Sequence, residues 1–63
     1  MIDFAKKIKE YRKIKLLTQT ELAEILGIGV VSVSRWESGK HEPTMNMKRK
    51  LKKLFIEAGM QVN

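Results

Sequence analysis

The sequence predicts an all-α domain of four helices, and three observations support this fold class. Apolar residues recur at intervals of three and four along most of the chain, which is the spacing of one face of an α-helix. Residues typical of helix starts, and glycines typical of helix ends, divide the chain into four segments. A chain of 63 residues also has room for only one small core. We therefore expect residues 1–63 to form a single domain.

The first helix is predicted over residues 2–15. Phe4, Ile8 and Tyr11 recur at intervals of four and three, with charged side chains between them. Asp3 suits the positive end of the helix dipole. Two leucines at positions 16 and 17 then interrupt the pattern, so the helix is expected to end there.

The second helix is predicted to follow Thr18. A threonine with a glutamate three residues later, here Glu21, has the spacing of a capping box, in which each side chain bonds to the backbone of the other. The apolar residues of this segment run from Leu22 to Leu26. Gly27 is predicted to end the helix, because glycine adopts the left-handed conformation found after helix ends.

The third helix, over residues 29–39, is less obvious because its valines have β-branched side chains, which favour strands. However, Val33 and Trp36 are three apart and extend the apolar side formed by Leu26 and Ile28. Gly29 at the cap position has no side chain to accept a hydrogen bond. The periodicity favours a helix that Gly39 ends.

The fourth helix is predicted to begin after Thr44, which follows a loop over residues 40–43. Its apolar face repeats at helical spacing and consists of Met47, Leu51, Leu54, Phe55 and Ala58. Gly59 is predicted to end it. The remaining tail, residues 60–63, is too short for another helix.

The composition favours a polyanionic partner. The chain has 13 Lys and Arg against 7 Asp and Glu, which gives a net charge of +6. Such an excess indicates nucleic acid first and an anionic membrane surface second. We expect no membrane partner, because the apolar residues are arranged to pack several helices together and no run approaches the ~18 residues of a membrane span. With no secretory signal pattern, the expected location is the cytoplasm.

No pattern of an enzyme or metal site is present. The chain has no cysteine, which excludes disulfides and thiolate zinc sites. His41 is the only histidine, and no serine has a base placed by spacing to activate it. We therefore expect no catalytic activity, no cofactor, no metal and no small-molecule ligand.

Residues 8–43, IKEYRKIKLLTQTELAEILGIGVVSVSRWESGKHEP, resemble the Cro/C1-type helix-turn-helix family, the Xre-like group that includes lambdoid phage repressors and Cro proteins. The resemblance is carried by TQTELA at residues 18–23, LGI at 26–28 and RWESGK at 35–40, with a proline shortly after. It implies a compact lambda-repressor-like domain that binds operator DNA as a dimer on a two-fold site. The family usually has a fifth helix that carries the dimer contact, so this chain resembles a truncated, four-helix form.

The resemblance also implies which residues contact DNA. The base-reading positions are Gln19, Val30, Val31, Ser34 and Arg35. The phosphate-contacting positions are Thr18, Ser32, Lys40, His41, Thr44 and Asn46. It further implies a partly buried structural ion pair between Arg12 and Glu37.

Two of the base-reading residue types suggest a specific chemistry. The guanidinium of Arg35 can donate two hydrogen bonds to guanine O6 and N7. Valines cannot donate hydrogen bonds, so Val30 and Val31 are expected to pack against thymine methyl groups in the major groove.

The sequence therefore predicts a sequence-specific regulator, most simply a small repressor from a phage or plasmid-like element, that binds double-stranded DNA as a homodimer at least on DNA. The alternative is a protein-interaction module, such as an antitoxin or accessory subunit, with the same fold. Its motivation is a set of apolar residues expected to be exposed near the C-terminus: Ile56, Met60 and Val62. The dimer surface is expected around Ile56 or along the tail.

Overall fold

The computed structural model of the chain describes residues 2–62. Within this range the chain forms four α-helices and no strand, which confirms the all-α prediction. The helices are α1 (Phe4–Lys15), α2 (Gln19–Leu26), α3 (Val30–Glu37) and α4 (Met45–Glu57).

Three helices begin at side chains that cap their first turn. The Asp3 carboxylate accepts a hydrogen bond from the third residue of α1, so this helix begins after Asp3 and not at residue 2 as predicted. At α2 the capping box is complete: Thr18 Oγ1 accepts from the Glu21 amide at 3.1 Å, and the Glu21 carboxylate accepts from the Thr18 amide at 2.8 Å. Thr44 Oγ1 caps α4 by accepting from the Met47 amide at 3.3 Å, a single bond without a reciprocal partner.

Helices α3 and α4 end earlier than predicted; α4 ends at Glu57 with Ala58 as its cap, one residue before the Gly59 predicted to end it. Gly27 ends α2 in the left-handed conformation, with a φ of 71°, as predicted. Helix α3 ends earlier than predicted, at Glu37, because Ser38 is a right-handed cap and the left-handed residue, Gly39, comes after it. Helix α1 ends at Lys15 as predicted, and the residue that caps it, Leu16, has a φ of 57°. A leucine in this conformation has its Cβ close to the following carbonyl oxygen, which costs about 1–2 kcal/mol.

All four helices contribute to one core. Helix α1 packs against both α3 and α4, and α2 packs against α3. The Phe55 ring of α4 is fully buried between two rings of α1, with centroids 6.1 Å from Phe4 and 5.9 Å from Tyr11. The buried apolar residues are Ile8, Tyr11, Leu22, Ala23, Leu26, Val33, Trp36, Leu51, Phe55 and Met60.

The tail after α4 folds back onto this core, so the expectation that Met60 and Val62 are exposed is wrong. Gly59 has a φ of 80°, which reverses the chain direction, and the Met60 amide then donates to the Phe55 carbonyl oxygen at 2.9 Å. Met60 is only 8% exposed, and Val62 packs against the core from outside. Of the three residues that motivated the interaction-module alternative, Ile56 alone is exposed.

Because Leu16 is 88% exposed and its side chain contributes little packing, we predict that Leu16→Gly stabilises the protein. Glycine removes the left-handed strain, about 1–2 kcal/mol, and gives back about 0.5–1 kcal/mol in chain entropy. The expected gain in the free energy of unfolding is about 0.5–1 kcal/mol, measured by urea denaturation. Leu16→Ala is the control: it removes the same side chain but keeps the Cβ and its strain. Equal stability of the two variants would contradict the prediction.

Candidate nucleic-acid interface

Helices α2 and α3 are joined by a short turn and pack directly against each other. The Ile28 amide donates to the Ala23 carbonyl oxygen at 3.0 Å, which satisfies an end group of α2 and fixes the exit direction of the chain. Ala23 itself is 2% exposed, so a small side chain lies in the packed interior of this unit. The turn and the buried alanine together hold α3 at a fixed angle to α2.

Helix α3 has two distinct faces. Val33, Trp36 and Glu37 are buried against the other helices. At about 100° per residue, the exposed side chains fall within an arc of about 140° on the opposite side. In order around this arc they are Val30, Ser34, Ser38, Val31 and Arg35. Four of the five positions implied to read bases thus lie together on the outward face of one helix.

The chemistry of this face is unusual for a polar surface, because its first turn is apolar. Val30 is 38% exposed and Val31 is 58% exposed. The only charged group on the arc is the guanidinium of Arg35. Ser34 adds one hydroxyl, and a second, that of Ser38, donates to the Arg35 carbonyl oxygen at 3.0 Å. Gly29, at the cap of α3, makes no side-chain hydrogen bond there, as predicted. This face can therefore offer methyl groups, a hydroxyl and one forked cation to a ligand.

The residues implied to contact phosphate are spread over several elements: Ser32 belongs to α3, Asn46 to the first turn of α4, and the others to helix caps and a loop. Two of them, Thr18 and Thr44, stand at the N-terminal ends of α2 and α4, where the helix dipole favours an anion. Lys40 and His41 belong to a loop folded against α3, because both of their amides donate to the Arg35 carbonyl oxygen, at 3.1 and 3.4 Å. Five of the six are exposed, namely Thr18, Lys40, His41, Thr44 and Asn46, whereas Ser32 is half-buried.

A buried ion pair fixes α3 to α1. Arg12 Nε lies 2.6 Å from Glu37 Oε2, and Arg12 Nη2 lies 2.8 Å from Glu37 Oε1, so the pair is bidentate. The remaining Arg12 nitrogen, Nη1, donates to the Leu17 carbonyl oxygen at 3.1 Å. The Glu37 side chain is only 4% exposed and that of Arg12 is 23% exposed. The pair therefore joins α1, the α1–α2 turn and the last residue of α3.

Gln19 takes part in the same network. Its Nε2 donates to Glu37 Oε1 at 3.0 Å, and its side chain is half-buried. The resemblance implies a base contact for this residue, but its amide group also has a structural partner. No local pattern in the sequence indicates this bond, because the two residues are 18 positions apart.

These contacts keep both members of the pair charged. Burial acts to raise the pKa of Glu37, but hydrogen bonds from Arg12 and Gln19 and the positive charges of Arg12 and Lys9 outweigh it, so the pKa lies below its ordinary value of 4.5. The hydrogen bond to Glu37 raises the pKa of Arg12. The carboxylate is therefore ionised over the whole range near neutral pH.

The part of the chain that the structure describes offers neither a metal site nor a membrane-spanning helix. Residues 2–62 contain no group of three His, Cys, Asp or Glu side chains placed to hold a metal ion. Within the same residues, every helix is too short or too polar to cross a lipid bilayer.

The family model described as helix-turn-helix matches residues 8–55. The chain belongs to the Cro/C1-type helix-turn-helix family. This range includes the whole of α2 and α3 and the buried residues of the other two helices, Ile8, Tyr11, Leu51 and Phe55. The fold and the family expected from the sequence are both confirmed.

Two curated proteins are similar to this helix-turn-helix chain. It is 39% identical over 54 residues to the HTH-type transcriptional activator BcrR of Enterococcus faecalis, a match that covers 86% of this chain but 26% of that protein. It is 37% identical over 49 residues to the uncharacterized HTH-type transcriptional regulator MJ0272 of Methanocaldococcus jannaschii, covering 78% of this chain and 74% of that protein. No solved structure matches the chain. The chain thus spans about a quarter of BcrR and about three quarters of MJ0272.

We predict that Arg12→Ala destabilises the fold far more than Lys13→Ala. Removal of Arg12 leaves a buried, unpaired carboxylate, which typically costs about 3–5 kcal/mol, whereas Lys13 is exposed and its removal should change stability by less than about 0.5 kcal/mol. Urea denaturation measures both. Replacing the pair together, by Arg12→Met with Glu37→Leu, should recover much of the loss because no charge remains buried. Equal melting temperatures for the two single variants would refute the prediction.

The lowered pKa of Glu37 also predicts how stability depends on pH. Because the pKa in the folded protein lies below 4.5, the ionised carboxylate stabilises the fold above that value, and this contribution is lost as the pH falls through the folded pKa. The free energy of unfolding should therefore fall more steeply between about pH 5 and pH 2 in the natural protein than in Glu37→Gln. Glu24→Gln, which removes an exposed carboxylate, is the charge-matched control. Parallel curves for the natural protein and Glu37→Gln would exclude this role.

Proposed function

We propose that this helix-turn-helix protein is a sequence-specific transcriptional regulator that inserts the outward face of α3 into the major groove of double-stranded DNA. Support comes from the clustering, on one exposed helix face, of four positions that the family resemblance implies to read bases. Two similar proteins are named transcriptional regulators. The major groove is about 12 Å wide and admits an α-helix. In this proposal residues 1–63 act as one DNA-binding unit.

In this proposal one cationic side chain and two apolar side chains make the main contacts with the bases. Arg35 donates two hydrogen bonds to guanine O6 and N7, a contact that discriminates by about 1–3 kcal/mol. Val30 and Val31, at the start of α3, pack against thymine methyl groups. Ser34 lies between them on the exposed arc and reaches a base edge with its hydroxyl, while Gln19 contacts DNA from the first turn of α2.

Phosphate contacts position the reading face without carrying sequence information. Thr18 and Thr44 offer the N-terminal ends of α2 and α4 to phosphate oxygens. Lys40 and His41 approach the backbone from the loop after α3. Ser32 and Asn46 complete the set.

We further propose that the protein acts as a homodimer on a two-fold operator and represses by occupying a site that overlaps a promoter. A monomer of this size would give only a small interface with DNA, so two copies on half-sites about one helical turn apart are favoured. BcrR is named an activator, whereas repression by this chain requires an operator that overlaps the promoter. In this proposal the protein comes from a phage or plasmid-like element and acts in the cytoplasm. It uses no cofactor and catalyses no reaction.

Selection of binding sites from random duplex DNA tests the proposal. We expect a recovered consensus with inverted half-sites that contain guanine and thymine, and an affinity that falls steeply with salt. Recovery of no sequence preference, together with binding that does not respond to salt, would reject the proposed function.

Arg35→Ala then tests the main base contact. On the selected operator we expect a loss of about 1–3 kcal/mol in binding free energy and relaxed specificity at one guanine per half-site, measured by fluorescence anisotropy. Lys40→Gln, the matched loss of a phosphate-contacting cation, should weaken binding to all sequences alike. Arg35→Ala that keeps full discrimination at every guanine would show that another residue reads it.

A further inference from the structure

Positive charge is most concentrated on the last helix. Four of five consecutive residues of α4 are cations, namely Arg49, Lys50, Lys52 and Lys53. All four side chains are exposed. The ion pairs found among residues 2–62 engage Lys7, Arg12 and Lys48, but none of these four. Their charges are thus available to an external anion.

The four cations share one side of α4, which we call the basic face. At about 100° per residue they fall within an arc of about 160°. The centre of this arc lies opposite Leu51, which is fully buried. Between residues 18 and 41, by contrast, three glutamates outnumber the two cations Arg35 and Lys40. The basic face is therefore distinct, in sequence and in charge, from the two helices proposed to read the operator.

The basic face and the outward face of α3 point away from one common core. Leu51 and Phe55 of α4 belong to the same buried cluster as Val33 and Trp36 of α3. Because both helices bury their inner sides in this cluster, their exposed sides lie on different sides of the molecule.

Distances along α2 and α4 also separate the basic face from the proposed phosphate contacts. Thr18 and Thr44, two of these contacts, cap the first turns of the two helices. From Thr44 the helix rises about 8 Å to Arg49 and about 14 Å to Lys53. Exposed charges further apart than the Debye length, about 8 Å at physiological salt, are largely screened from each other. Lys53 also lines a shallow groove with Ile25, at the end of α2 remote from Thr18. The basic face therefore adds little to the attraction for the duplex that α3 enters.

The chemistry of the basic face favours a nucleic acid over a second copy of the chain or a lipid surface. Two copies joined through this face would place four cations against four, so charge repulsion opposes the dimer contact expected around Ile56. Binding of a helix at a lipid surface needs a broad apolar face, but the apolar side of α4 is buried in the core. Duplex DNA needs only closely spaced cations, because it carries one negative charge about every 1.7 Å along its axis.

We propose that the basic face binds the sugar–phosphate backbone of a second DNA duplex while α3 holds the operator. This inference goes beyond the proposed function and rests on it, because the operator is the first duplex. The protein then bridges two segments of DNA. The second contact is independent of sequence and weakens with salt, since it consists of the neutralisation of phosphates by cations.

A capture experiment tests the bridging of two duplexes. The selected operator is fixed to beads and saturated with protein, unbound protein is washed away, and a labelled duplex of unrelated sequence is added. The natural protein should capture this duplex, with a slope of log affinity against log salt of about −3.6, or about −0.9 for each of the four cations. The α4 variant should still saturate the operator but capture at least about tenfold less of the second duplex. Its substitutions are Arg49→Gln, Lys50→Gln, Lys52→Gln and Lys53→Gln.

A variant of α1 is the matched control, because it removes the same number of exposed cations from another helix. Its substitutions are Lys6→Gln, Lys9→Gln, Lys13→Gln and Lys15→Gln. With the operator saturated, this variant should capture the second duplex nearly as well as the natural protein. Thermal melts should show that both variants fold.

The outcomes separate this inference from the proposed function. If the α4 variant captures as much as the natural protein, or if both variants lose capture equally, the basic face is not a second DNA site, although the operator is still bound. If the α4 variant alone fails to occupy the operator, its cations contact the operator itself and the inference is wrong. If the natural protein selects no operator, the proposed function fails and the inference with it.

Two further measurements cover the other occupants of the basic face. If the natural protein captures no second duplex, but the α4 substitutions abolish its self-association in sedimentation, the face binds a second copy. If they instead abolish binding to vesicles that contain phosphatidylserine, it binds a lipid surface. Either result would overturn the inference.

Discussion

The buried carboxylate of Glu37 is the constraint on which the arrangement of the helices depends. A carboxylate that is 4% exposed costs several kcal/mol to bury unless its charge is paired and its oxygens accept hydrogen bonds. Arg12 and Gln19 satisfy it from α1 and α2. One charged group at the end of α3 therefore fixes three helices relative to one another, and this orientation determines which side of α3 faces outward.

Helix α3 is stabilised by its contacts with the other helices. It has eight residues, three of them valines, and an isolated helix of that length and composition would not form in water. Val33 and Trp36 stabilise it by burial against the core, and Glu37 stabilises it through the ion pair. Because the buried side chains stabilise the helix, the side chains on the outward face need not favour helix formation and can be selected for a surface property. Valines at 30 and 31, poor for helix formation, are consistent with selection for a surface property.

The sequence predicts most helix boundaries because their signals are local. Thr18 with Glu21 and the glycine at 27 act within one turn of the backbone they satisfy, so their roles can be read without knowledge of the fold. Leu16 could not be predicted, because nothing in the chain marks a leucine for the left-handed conformation. The burial of Met60 depends on the direction that a glycine gives to the tail and on space beside Phe55, and neither is a property of the local sequence.

Some features of the candidate interface can likewise be predicted from the sequence, and others cannot. That Val30, Val31 and Arg35 share an exposed face follows from helical spacing once α3 is accepted as a helix. The bond from Gln19 to Glu37 joins residues 18 positions apart and requires the packed structure. Which outward side chain meets which base depends on the docking angle of the helix, which residue spacing does not determine.

Because of the turn at Gly59, residues after the last helix belong to the part of the chain that unfolds cooperatively. The last helix ends at Glu57, but the Met60 side chain is buried in the core and Val62 packs against this core. The hydrophobic core of the folded unit therefore extends past the final helix into the tail. A protease that cuts between α4 and this tail would remove part of the hydrophobic interior, so resistance of the tail to proteolysis should follow global unfolding and not local fraying.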